Sequence, residues 1–279
     1  MLVKYRLQFP VSFVTLCLSS MVLLAGCGGR AKSMSTVVSP GTPSAPASPG
    51  SPGDSTSGVP ANAITISKIE DTAGWQWCTA RLNGSACASG RGNAVSTMSP
   101  KQASPANDGS SAKFTITGPT PYSNALWWES VGNNSTVTHF TYDLWFYVDH
   151  PGSAEALEFD VNQSFQGIRY TWGTECSFQN THRWDVWDPA GFKWVTTNVP
   201  CNPVSASTWH HLVWQFEQAN HQVHYISVTL DGTTAPVDIY KDPQTKYPGE
   251  DINVAFQMDG DFKQDPYNVW LDQVALSMW

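Results

Sequence analysis

The chain has 279 residues with a formal charge of −8, and only 14% of its side chains are charged while 13 are Trp. No basic patch appears, which excludes nucleic acid as a natural partner and suits neutral or weakly charged ligands better than acidic polymers. So many Trp with so few charges predict a large aromatic core.

The first element is not part of the fold. Lys4 and Arg6 precede a mostly apolar stretch, and Leu24-Ala25-Gly26-Cys27 follows it. This is the pattern of a secretory signal, and the Cys at the cut matches a lipoprotein lipobox. As a membrane span the apolar run is short, and Gly26, Gly28 and Gly29 interrupt it at once. The expectation is a signal peptide over 1–26 and lipid on Cys27, a membrane tether that does not span. Gly28 after that Cys, where Asp often retains lipoproteins in the inner membrane, favours the outer membrane or cell surface.

From Ser39 to Pro60, 16 of 22 residues are Pro, Gly or Ser, a composition with nothing to bury. Residues 27–60 are therefore expected to be a disordered spacer, spanning roughly 30 Å on average and about 100 Å at polyproline rise. The remaining 219 residues, 61–279, suit one all-β domain.

Within it, runs of period two dominate and helical periodicity is almost absent. Expected strands cover Ile64–Ile69, Ala112–Thr117, Ala125–Glu129, Val137–Val148, Ala156–Gln163 and Gly167–Thr171. They continue through Phe192–Val195, His210–Glu217, Gln222–Leu230, Pro236–Tyr240, Ile252–Met258 and Val269–Met278, with Asp231-Gly232 as a tight turn. Many strands without helices predict an all-β fold, two stacked antiparallel sheets. Four Cys stay in the exported domain, and spacing favours Cys78–Cys87 and Cys176–Cys201 among the three pairings open to them. A zinc site would need closer ligand pairs.

The most informative strand is Leu157-Glu158-Phe159-Asp160-Val161-Asn162-Gln163. Alternation sends Leu157, Phe159 and Val161 to a core and Glu158, Asp160 and Asn162 to the other face. The same logic turns Trp145, Arg169, Gln257 and Asp259 outward from their own runs. If these strands are neighbours, their rings, acids, amides and cation form a sugar-binding surface, since rings stack on sugar C–H faces and polar groups bond hydroxyls. The bland alternative is a solvated face with structural ion pairs.

Three segments carry a family likeness: Trp209-His210-His211-Leu212-Val213-Trp214, Val228-Thr229-Leu230-Asp231-Gly232 and Trp270-Leu271-Asp272-Gln273-Val274. They resemble strands of laminin-G-like and pentraxin-like modules, and residues 61–279 look like a member of the concanavalin A-like lectin/glucanase superfamily. The resemblance implies a jelly-roll sandwich whose concave face binds glycans in lectins and cleaves them in glucanases. Trp209 and Trp214 then read as packing residues.

Fold does not choose between binding and cleavage. Where retaining jelly-roll β-glucanases carry E-x-D-x-x-E, this chain has E-x-D-x-x-Q. The resemblance sets Glu158 as nucleophile and Asp160 as its helper, with Gln163 where the acid/base belongs. A carboxamide cannot transfer that proton, and alternation points Gln163 inward. A glycoside hydrolase would then need Glu129, Glu155 or Asp259 as a substitute acid. Gln222-Val223-His224 is similar to an element of jelly-roll alginate lyases, but the companion elements are missing and it reads as structural.

Two further segments stay open. Asp259, Asp261 and Asp265 offer oxygen ligands for a structural calcium, or else form a solvated acidic turn. Trp184, Trp187 and Trp194, in a disulfide-closed loop between Cys176 and Cys201, wall one end of a groove or make a satellite core. The sequence thus predicts a lipid-anchored, non-catalytic glycan-binding protein, with contacts from Trp145, Glu158, Asp160, Asn162, Arg169, Gln257 and Asp259. The alternatives are a glycoside hydrolase and an adhesive envelope protein without a sugar site.

Overall fold

The computed structural model describes residues 58–79 and 94–279. The signal peptide, Cys27, most of the spacer and Cys87 lie outside the described residues.

Seventeen strands run through the described chain. They begin with β1 (Ile64–Ile66), β2 (Gln76–Thr79), β3 (Val95–Gln102), β4 (Ser111–Thr117), β5 (Asn124–Gly132) and β6 (His139–Val148). Next come β7 (Ala154–Phe165), β8 (Ile168–Trp172), β9 (Thr174–Ser177), β10 (Arg183–Asp188), β11 (Lys193–Pro200) and β12 (Trp209–Ala219). The last are β13 (Gln222–Leu230), β14 (Thr233–Lys241), β15 (Gln244–Thr245), β16 (Asp251–Gly260) and β17 (Tyr267–Met278). Among the described residues, the helical elements are two short 3-10 turns, Ile69–Asp71 and Pro151–Ser153.

The first sheet has the order β14-β13-β12-β6-β17-β4-β3, with β1 also on β17. The second has the order β11-β10-β9-β7-β16-β5-β2, and β8 pairs with both β7 and β15. Every pairing is antiparallel, and the two sheets form the expected all-β jelly-roll sandwich. Leu230 pairs with Thr233 across Asp231 and Gly232, whose φ values are 50° and 77°. Two positive φ values in a two-residue loop are what a right-twisted hairpin requires, and Gly232 supplies one without strain.

Alternation fills the space between the sheets with rings. Phe159 of β7 packs on Phe256 of β16 and on Phe146 of β6, each at 5.4 Å between centroids. Trp184 of β10 meets Trp214 of β12 edge-on at 5.1 Å. Burying one such side chain contributes about 1.5–3 kcal/mol. Trp214 is fully buried and Trp209 half-buried against Tyr147, so both pack as expected. Cys176 and Cys201 are bonded, closing the β10–β11 hairpin onto β9. Cys78 is also disulfide-bonded.

Five strands were not anticipated: β2, β3, β9, β10 and β15. The segment between Cys176 and Cys201 is not a loop. Trp184 and Val186 alternate with Asp185 and Trp187 as a strand does, and β10 pairs with β11. Phe256 is fully buried against Phe114, Trp127 and Phe159. Phe256→Ala is expected to cost about 3–5 kcal/mol of stability, read from the urea midpoint, because the surrounding rings cannot collapse into the void. A loss under about 1 kcal/mol would contradict this packing.

Candidate functional site

The site is built on the face of β7 that turns away from the core. Phe159 and Val161 are fully buried inward, while Glu158, Asp160 and Asn162 point to the other side. Glu158 stands opposite Gln257 of β16 on one side and Glu175 of β9 on the other. Glu175 in turn faces Asp185 of β10. Directly opposite side chains in an antiparallel pair have Cβ atoms only ~4.5–5.5 Å apart. One register row thus carries three acids and an amide across four strands.

A cavity of about 680 Å³ opens over this row. Its lining includes Glu155, Glu158, Glu175, Asp259, Asn124 and Trp194. That volume lies within the range of ~300–1,000 Å³ of small-ligand clefts. Gln257 sits between two of the acids: its Nε2 donates to Glu158 and, at 3.2 Å, to Asp259. The Glu158 and Asp259 carboxyls also share a hydrogen bond, donated by Glu158, and the Asn124 side chain donates to Asp259.

Asp160 is placed by a local device. Its Oδ1 accepts the backbone N–H of Thr174 at 3.0 Å, where β8 ends and β9 begins. Gly173 lies at that break, and a Cβ there would sit 2.8 Å from the Cβ of Trp187. The missing side chain lets β9 run close beside β10, so Glu175 reaches the cavity.

The structure brings together only part of the expected contact set. Glu158 and Asp259 line the cavity, Gln257 lies between them, and Asp160 is one step along β7. Asn162 is further off, its amide donating to Asn253 at 3.0 Å. Arg169 donates to Tyr247 and lies over its ring at 4.6 Å, while its charge acts on Asp160. Trp145 is corrected outright: β6 belongs to the first sheet, where Trp145 stacks on His211 at 4.7 Å. Strand period fixes which face a side chain takes but not which sheet holds it.

Gln163 points inward as expected, donating to the carbonyls of Asn134 and Val137 at 2.9 and 3.0 Å. Of the substitute acids, Glu155 and Asp259 line the cavity. Glu129 does not; it turns to the core side, against Gly74 and Thr72. Glu175 was missed altogether. The only signal for it was a polar-apolar alternation over Thr174–Ser177, cut off by Gly173.

Two of the three Asp considered for calcium, Asp259 and Asp261, already accept protein donors. Asp261 accepts two amides of its own turn, from Lys263 and Gln264, both at 2.8 Å. Asp265 is exposed, and no group of three or more His, Cys, Asp or Glu among the described residues is arranged to hold a metal. The three Trp divide as well. Trp184 joins the main core, while Trp194 lines the cavity and packs edge-on against Trp187 at 5.2 Å. Gln222-Val223-His224 lies on the first sheet, with His224 bonded to Glu217 and Asp238.

Crowding acids out of water makes them hold their protons. Burial pushes Asp160 and Asp259 up to about 7. Burial, then the charges of Asp259 and Asp185, push Glu175 up to about 9. Burial and Asp259 raise Glu158 well above the ordinary value. The folded chain therefore binds more protons than the unfolded one between the ordinary values, 3.8 and 4.5, and these raised ones. In that window stability falls as pH rises. The melting temperature is expected to decline from about pH 5 to about pH 9, and Glu175→Gln should flatten the upper part of the slope. A melting temperature that climbs over this range would contradict the buried acid row.

No protein-family model matches the chain, and no curated protein does. Among solved structures it is similar to carbohydrate-binding modules of the β-sandwich superfamily, with 12% identity, 75% of this chain and 60% of that one covered, and a TM-score of 0.39. The chain thus spans 60% of that relative's length. It is also similar to a carbohydrate esterase of Shiga toxin-encoding bacteriophage phi24B, with 12% identity, coverage of 77% and 99%, and a TM-score of 0.45. A third is the family 11 carbohydrate-binding module of Clostridium thermocellum, with 13% identity, coverage of 77% and 94%, and a TM-score of 0.36. At these values neither the ligand nor the activity of any of them carries over to this chain.

Proposed function

We propose that the chain is a lipid-anchored protein that binds a glycan in the carboxyl-lined cavity of the second sheet and does not cleave it. The observation that carries this reading is the make-up of the cavity. Trp194 offers an aromatic face, and a row of acids that hold their protons offers both donors and acceptors for hydroxyls. A retaining hydrolase holds its two carboxyls ~5–5.5 Å apart with the nucleophile free to attack. Glu158 instead shares hydrogen bonds with Asp259 and Gln257.

Glycoside hydrolysis is the second reading, with Glu158 as nucleophile, and one observation favours it. Glu175 stands directly opposite Glu158 and keeps its proton, up to about 9. It is therefore an acid of the kind that Gln163 is not.

One pair of assays separates these readings from a protein with no sugar site. On a glycan array the chain is expected to retain oligosaccharides, with no new reducing ends released from soluble β-glucans. Trp194→Ala should weaken retention about tenfold, or about 1.4 kcal/mol. Release that disappears in Glu158→Gln would overturn the non-catalytic reading, and neither retention nor release would overturn both.

The anchor has its own test. Mass spectrometry of the purified chain is expected to find Cys27 as an acylated N-terminus. An N-terminus at Met1 without acyl chains would contradict the tether.

A further inference from the structure

We propose that the glycan carries a protonated amine, as on an N-deacetylated hexosamine unit, and that the cavity seats this ammonium among Glu158, Glu175 and Asp259. The inference rests on the glycan-binding reading and names its ligand class.

The cavity is rich in carboxyl oxygens. Its polar lining includes four carboxyls, of Glu155, Glu158, Glu175 and Asp259, and among the described residues no Lys, Arg or His lines it. Two of the amides nearby are already committed. The Gln257 Nε2 serves Glu158 and Asp259, and that of Gln179 donates to the carbonyls of Gly152 and Ala154 at 3.0 and 2.8 Å. Asn124 points independently the same way. It lines the cavity at 2% exposure, and its Oδ1 has no hydrogen-bond partner among the described residues.

A neutral sugar hydroxyl both gives and takes hydrogen bonds, so it gains from a balanced wall. An ammonium has three donors and no acceptor, which matches carboxyls that can give up their protons to it beside an amide oxygen without a partner. It also supplies the positive charge that the clustered acids lack, displacing protons they otherwise share. Trp194, braced by Trp187, can face either the cation or the C–H side of the ring. A metal ion needs a tighter ligand set than the described residues provide.

The test is calorimetric titration of the full chain in detergent micelles at a pH where the amine is charged. Three oligosaccharides of equal length are compared: β-1,4-linked glucosamine, its N-acetylated counterpart and a neutral β-1,4-glucan. The glucosamine oligomer is expected to bind at least tenfold more tightly than the other two. Glu175→Gln should narrow that gap several-fold, weakening the glucosamine oligomer more than the neutral glucan. Because the comparison is made first on the unaltered chain, a variant that fails to fold does not decide it. Equal binding of the three oligomers overturns the amine inference and leaves the glycan-binding reading standing. Binding of none overturns both. A simple alkyl diamine that binds as tightly as the glucosamine oligomer overturns the proposal that a sugar carries the amine.

Discussion

Everything at this site depends on how β7 is gripped. Its inward side chains are locked into an aromatic layer by Phe146 and Phe256 around Phe159, so its register cannot slip without exposing the core. That lock leaves no freedom to the outward side chains. Glu158 is forced between Gln257 and Glu175, one strand spacing from each, whatever repulsion follows. The hydrophobic packing on one face thus holds a costly arrangement of acids on the other.

The chain relieves that cost by protonation and by sharing. With Gln257 donating to both Glu158 and Asp259, and Glu158 donating to Asp259, fewer charges are present than the carboxyl count suggests. Strongly perturbed acids in a cleft are candidates for a working site. A cavity that stores protons rather than charge can trade them for hydroxyl or ammonium donors when a ligand enters.

Much of this was readable from residues alone. The alternation of Leu157–Gln163 revealed the face carrying Glu158 and Asp160 and the inward turn of Gln163, because period two leaves no other geometry. Trp145 shows where that logic stops. Its outward direction was right, but sheet membership is set by long-range pairing, and β6 pairs with β12 and β17 rather than with β7. Glu175 stayed hidden because β9 has four residues and follows Gly173, which reads as the end of a run. Asp185 was masked differently. The spacing of Cys176 and Cys201 suggested a closed loop, where the chain builds a hairpin and joins its base to β9.

We propose that the acid row of the second sheet, and not any other surface, receives the ligand. A crystal structure of the chain with a bound oligosaccharide addresses it most directly. A sugar ring is expected against Trp194, with its polar groups on Glu158, Glu175 and Asp259. A sugar ordered instead on the first sheet, beside Trp145 and His211, with the cavity empty, would contradict it.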